Sequence, residues 1–128
     1  MIVMLNPELR QVLDGTPIAH LATILPDGAP HAVPLWISTH GDYIAIITGP
    51  GYLKTDNMHR DPRVALSLTP VDDPYRPIVI RGKVVQWLDG EQGWEIVDKI
   101  STKYTGNSYS REEERVIALI EPTRQRIG

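Results

Sequence analysis

Apolar residues along this chain come in short runs, each closed by a turn carrying glycine, proline or aspartate. Alternation of period two over such runs reads as strand, and spacing of three to four reads as helix. Asn6-Pro7 opens the first helix: asparagine caps free N–H groups, and proline takes a position whose N–H has no partner anyway. Leu9, Val12 and Leu13 form its apolar stripe, and Asp14-Gly15 stops it. Strands are predicted over residues 18–25, 31–39, 43–48, 64–69, 78–88 and 116–120, with Pro26-Asp27-Gly28 and His40-Gly41-Asp42 as hairpin turns. A short helix around Lys54 ends at Asp61-Pro62, since the residue before a proline avoids helical ψ. A longer one starts at Asp89 and buries Trp94, Ile96, Val97, Ile100 and Tyr104. Ser110-Arg111-Glu112-Glu113 has capping-box spacing for one further helical turn. Three residues interrupt the pattern: Pro34 demands an edge or a break in the second strand, Gly82 a bulge or bend in the fifth, and Pro122 an end or bend in the last.

Six strands joined by short turns, with a helix after the third and another after the fifth, predict a mainly β protein, an antiparallel six-stranded barrel with peripheral helices. Regular βα alternation is absent, which argues against a parallel doubly wound sheet. Some strands are apolar on both faces, as in Ile18/Ala19/Leu21/Ala22/Ile24 and Ile44/Ala45/Ile46/Ile47. A small barrel has one interior, so the second face must meet a helix or another subunit, and a homodimer is expected.

The 128 residues suit one domain spanning 1–128. A formal net charge of −3 carries no basic footprint of a nucleic-acid binder. Without cysteine there is no disulfide, thiolate metal site or cysteine nucleophile. Met1-Ile2-Val3-Met4-Leu5-Asn6-Pro7-Glu8 lacks the basic start and long apolar run of a leader, and no apolar stretch is of membrane-spanning length, so a cytoplasmic protein is expected. His20, His31, His40 and His59 show no metal-ligand spacing and read as structural or surface residues; no metal is expected. A Gly-x-Ser-x-Gly elbow, a dinucleotide fingerprint and a P-loop are all missing, and the clusters Asp72-Asp73 and Glu112-Glu113-Glu114 read as solvated loop and cap. No side chain stands out as catalytic. Any chemistry is therefore borrowed from a cofactor, or the protein is not an enzyme.

The segment that changes this picture is Gly49-Pro50-Gly51-Tyr52-Leu53-Lys54-Thr55-Asp56-Asn57. A strand ends at a glycine pair, a helix opens, and a lysine and an asparagine lie three residues apart in its first turns. Exposed N–H groups, the helix dipole, a cation and an amide donor there would converge on one anion. Arg60 and Arg63 could neutralise an anionic tail or pair with Asp56 or Asp61, and Trp36 could be core or binding wall.

In this order, Leu21-Ala22-Thr23-Ile24, Asp27-Gly28-Ala29-Pro30, Pro34-Leu35-Trp36, Lys54-Thr55-Asp56-Asn57 and Arg60-Asp61-Pro62-Arg63-Val64-Ala65 resemble the flavin-binding split β-barrel superfamily. Arg81-Gly82-Lys83-Val84, Lys103-Tyr104-Thr105-Gly106 and Ile120-Glu121-Pro122-Thr123-Arg124 extend the resemblance over nearly the whole chain. That superfamily includes the pyridoxamine phosphate oxidases and the deazaflavin (coenzyme F420) oxidoreductases. The resemblance implies a homodimer with a cofactor at the subunit interface. It implies that Lys54 and Asn57 hold the cofactor phosphate, that Thr48 sits near the ribityl chain or pyrimidine edge, and that Pro34 and Trp36 line the ring system.

Relatives that use flavin mononucleotide (FMN) usually carry an arginine on the second strand. Here Val33-Pro34-Leu35-Trp36-Ile37 is uncharged and resembles the deazaflavin branch. Tyr52 departs from the serine or arginine that many relatives have there. The resemblance thus implies an F420-dependent reductase acting on a small conjugated or quinone-like substrate. The alternatives are an FMN-dependent oxidase or reductase related to pyridoxamine phosphate oxidase, and a non-catalytic flavin- or haem-binding protein.

Overall fold

The structure, a computed structural model, describes residues 4–128; residues 1–3, the start of the segment examined above for a leader, lie outside the described residues. Helix α1 (Pro7–Leu13) begins where Asn6 Oδ1 accepts the N–H groups of Glu8 at 2.8 Å and Leu9 at 3.3 Å. Leu9 and Leu13 are buried beneath it. Then come β1 (Ala19–Ile24), β2 (Pro30–Leu35), β3 (Ser38–His40), β4 (Tyr43–Thr48), α2 (Leu53–Arg60), β5 (Arg63–Leu68), β6 (Ile78–Leu88), α3 (Gly90–Thr105) and β7 (Val116–Ile127). Among the described residues no helix is long and apolar enough to cross a membrane.

Seven strands, not six, make one antiparallel sheet in the order β2-β1-β5-β6-β7-β4-β3. The difference lies in the strand predicted over 31–39, which breaks at Trp36-Ile37. Its first part, β2, pairs with β1 from Pro30↔Ile24 to Leu35↔Ala19, and its second part, β3, pairs with β4. One broken strand therefore forms both ends of the sheet, and the barrel closes around a split. Pro34 lies on this edge, facing His20 in register, where its missing N–H costs no ladder bond.

Side chains from α3 hold the split open. The Ile37 N–H donates to the Tyr104 hydroxyl at 3.1 Å, and the Ile37 carbonyl accepts Lys103 Nζ at 2.6 Å. Backbone groups that a ladder would have satisfied are thus satisfied by a helix instead. Lys103 also donates to the Leu13 carbonyl at 2.7 Å, which ties α1 to the same point. Burial pushes the Lys103 amine down to about 8.

Two apolar layers follow from strand alternation. Ile44, Ile46, Ala118 and Ile120 point into the barrel with Leu21, Leu66, Ile78 and Ile80. Ala45, Ile117 and Leu119 point outwards and are covered by Ile96, Val97 and Ile100 of α3. The second apolar face of β4 therefore meets a helix of its own chain.

The bulge expected at Gly82 is present: the β6–β7 register shifts between Arg81 and Gly82 and again between Val84 and Gln86. Pro122 faces Gly82 but does not end the strand, and β7 continues to Ile127. The irregularity that proline requires coincides with the bulge on its partner, and Thr123 donates its hydroxyl to the Arg81 carbonyl at 3.2 Å. The capping-box pattern at Ser110 opens no helix. The Glu112 N–H does reach Ser110 Oγ at 3.2 Å, but Arg111 is drawn away onto Asp98 (2.6 Å) and over the Trp94 ring (3.8 Å to the centroid).

Candidate cofactor-binding cleft

Thr48 ends β4, and Gly49 carries the chain through a gap too narrow for a side chain. A Cβ there would lie 2.9 Å from the Tyr52 ring and 3.0 Å from the Glu114 carbonyl. Gly51, at φ +85°, then turns the backbone into α2. Tyr52 precedes this helix without capping it, so no side chain occupies the first free N–H groups.

A cleft of about 300 Å³ opens beside this turn. Leu35, Trp36, Ile47, Tyr52 and Tyr109 line it, and Thr48, Lys54 and Arg115 supply polar groups. Lys54 is half-buried with its ammonium 4.8 Å from the centre of the Tyr52 ring, and none of the ion pairs among the described residues involves it. Desolvation, and secondarily the nearby Arg115 charge, holds its pKa below the usual 10.5. Such an ammonium gains from any anion that enters the cleft.

The hydroxyls at the cleft floor have an assignable direction. Thr55 Oγ1 gives its one proton to the Gly49 carbonyl at 2.7 Å. The 2.6 Å contact between Thr48 and Thr55 must then be donated by Thr48. Thr48 is left with lone pairs only: it can accept a ligand's O–H or N–H, and it cannot donate to a phosphate.

Trp36 is held by α3. Its ring stacks on Tyr104 (5.1 Å between centroids, 8° between planes) and meets Tyr109 edge-on at 6.3 Å. It is both core and cleft wall.

The structure brings Lys54, Thr48 and Trp36 to this cleft but not Asn57 or Pro34. Asn57 is fully buried; its amide donates to Thr23 Oγ1 at 3.0 Å, and its carbonyl accepts from Arg60. Arg60 also reaches the Ile24 carbonyl at 3.1 Å, so these bonds fasten α2 to the end of β1. Pro34 is exposed on the adjoining edge. Arg63 pairs with Asp61 at 2.7 Å rather than with anything in the cleft. Sequence reasoning missed Tyr109 and Arg115. They arrive from the segment before β7, and no local spacing connects them with Lys54.

A family model described as "Pyridoxamine 5'-phosphate oxidase" matches residues 5–126. Among solved structures, one described as an F420 reductase is 28% identical, with a TM-score of 0.80 over 91% of this chain and 94% of that one. A conserved hypothetical protein of Mycobacterium tuberculosis is 26% identical, with a TM-score of 0.78 over 98% of this chain and 85% of its own. A putative pyridoxamine 5'-phosphate oxidase of Listeria innocua, at 22% identity and a TM-score of 0.73 over 94% of both chains, shares the fold. No curated protein matches.

Proposed function

The chain belongs to the pyridoxamine 5'-phosphate oxidase family, and we propose that this protein is an F420-dependent oxidoreductase that reduces a small conjugated or quinone-like substrate. The observation that carries the reading is the Lys54 ammonium, half-buried and without a carboxylate partner among the described residues, at an aromatic-lined cleft. That combination suits a flat ring bearing an anion. The uncharged strand segment Val33-Pro34-Leu35-Trp36-Ile37 and the likeness to an F420 reductase favour deazaflavin over FMN.

When bound, the deazaflavin supplies the hydride chemistry. The chain's residues bind and orient. Lys54 pairs with the phosphate, as a point charge able to meet any of its oxygens. Thr48 accepts a ribityl hydroxyl or a ring N–H, the one role its proton arrangement leaves open. Leu35 and Trp36 exclude water from one ring face, with Pro34 at the rim of that wall. Asn57 acts one step back, fixing the helix on which Lys54 rides. At about 300 Å³ the cleft is at the small end for a cofactor site. A homodimer, as the family resemblance implies, would bring a second copy to complete it.

Titration of the protein with F420 and with FMN, followed by fluorescence, tests this reading. F420 is expected to bind, and Lys54→Ala to weaken it by about 1–3 kcal/mol. Unchanged affinity would remove Lys54 from the site. Protein that purifies yellow with FMN would favour the oxidase reading instead.

The pH dependence carries a sign. Phosphate binding needs the protonated ammonium, so affinity is retained at neutral pH and lost as pH rises through a Lys54 pKa lying below 10.5. Lys54→Arg should move that loss to higher pH, because guanidinium stays charged. A wild-type profile flat past pH 10.5 contradicts the assignment.

A further inference from the structure

We infer that Arg115 is the second cation of this anion site, and that the excess of one positive charge there selects a phosphodiester over a phosphomonoester. The inference rests on the cofactor reading above and narrows it.

Arg115 is set for this task before any ligand arrives. Its side chain is only 14% exposed. The guanidinium lies 5.2 Å from the centre of the Tyr52 ring and 5.7 Å from that of Tyr109. Nη1 donates to Glu113 Oε2 at 3.1 Å and to the Glu114 carbonyl at 2.9 Å, and Nη2 donates to the Tyr52 hydroxyl at 3.0 Å. Tyr52 in turn donates its proton to Glu113 at 3.1 Å. Three of the five N–H groups of a guanidinium are then used, and the rest remain for an anion. Because the side chain is already fixed, little rotamer freedom is lost on binding.

The charge count decides the selectivity. Lys54 and Arg115 line one cleft and repel each other, and Glu113 is the carboxylate bonded to this group. Two cations and one anion leave one unbalanced positive charge. The phosphate of F420 is a diester carrying a single negative charge, which closes the balance. The phosphate of FMN is a monoester of charge about −1.5 to −2 at neutral pH, which leaves uncompensated negative charge between the partly buried Arg115 and the half-buried Lys54, with the exposed Glu113 at the rim.

The test compares four ligands: F420, the same deazaflavin stopped at its ribityl hydroxyl, FMN and riboflavin. Arg115→Gln should weaken F420 roughly tenfold or more while moving the phosphate-free deazaflavin less than about twofold. Arg115→Lys should recover part of the loss. Glu113→Gln removes the carboxylate while leaving an amide oxygen that can still accept from the guanidinium, and should improve FMN relative to F420 by about 3–10-fold at low salt. If Arg115→Gln does not fold, the Arg115→Lys and Glu113→Gln ratios decide.

Equal losses for phosphorylated and phosphate-free ligands would make Arg115 a structural residue and overturn the inference. So would an unchanged FMN-to-F420 ratio in Glu113→Gln. In both cases F420 binding by the unaltered protein leaves the proposed function standing. Failure of the unaltered protein to bind either phosphorylated cofactor overturns both readings together.

Discussion

Replacement of Tyr104 by alanine is expected to lower stability by about 3–5 kcal/mol and to weaken F420 binding in the protein that still folds. The phenol does three jobs at one point. Its oxygen accepts the Ile37 N–H at 3.1 Å, its proton goes to the Pro17 carbonyl at 2.6 Å, and its ring stacks on Trp36. Burial pushes the hydroxyl's pKa above 10, so it remains a donor through the working range. Tyr104→Phe separates the contributions. It keeps the stack and leaves the Ile37 N–H and the Pro17 carbonyl without these partners, at about 1–3 kcal/mol for each group that water cannot reach. Urea unfolding gives the stability changes, and Trp36 emission, isolated by Trp87→Phe and Trp94→Phe in each background, reports the stack. If Tyr104→Phe matches the wild type and Tyr104→Ala loses less than about 1 kcal/mol, Tyr104 does not hold the split open.

Gly82→Val is expected to cost about 3 kcal/mol or more, with the damage centred on β6 and β7. A Cβ at position 82 would sit 2.5 Å from the Glu121 carbonyl oxygen and 2.7 Å from Ile120 Cγ2. The first of these is backbone in the neighbouring strand and cannot rotate away, so the ladder itself must shift. Gly82→Ala already incurs the first clash, and valine adds two methyl groups in the same gap. The checks are a lower denaturant midpoint at unchanged slope and faster amide exchange around Gly82 and Pro122. A wild-type midpoint for Gly82→Ala would show that the two strands do not approach this closely in solution.

Both residues were visible in the sequence to different degrees. Gly82 in the interior of a predicted strand signals a bulge by itself, because glycine there has few other uses. Tyr104 was legible as a buried position on a helix and no further. That its hydroxyl meets the strand break at Ile37, 67 residues away in sequence, follows from how α3 lies against the sheet, which periodicity does not encode. Pro34 signalled an edge or a break in the strand expected over 31–39, and the structure has both; that the break falls at Trp36-Ile37 was not legible, for the same reason. Alternation persists through Trp36 and Ile37, and only the pull of Lys103 and Tyr104 on the Ile37 backbone divides it.

The candidate site divides along the same line. Lys54 was legible because its signal is local: a strand end, a glycine turn and a cation at the start of a helix. Asn57 shares that signal, yet it is turned about 60° further round the helix, into the packing against β1, where it bonds Thr23. Three residues along a helix is most of a turn, and which flank meets the cleft depends on how α2 lies against β1.

Strand content, turn positions, the class of fold and the placing of a lysine at a helix start were thus determined by the chain's own pattern, since each depends on neighbours within a few residues. The split in the barrel, the helix that covers its second apolar face and the presence of Arg115 beside Lys54 were decided by tertiary structure alone. These depend on segments distant in sequence meeting at a shared surface, and burial drives that meeting without leaving a mark in the local spacing.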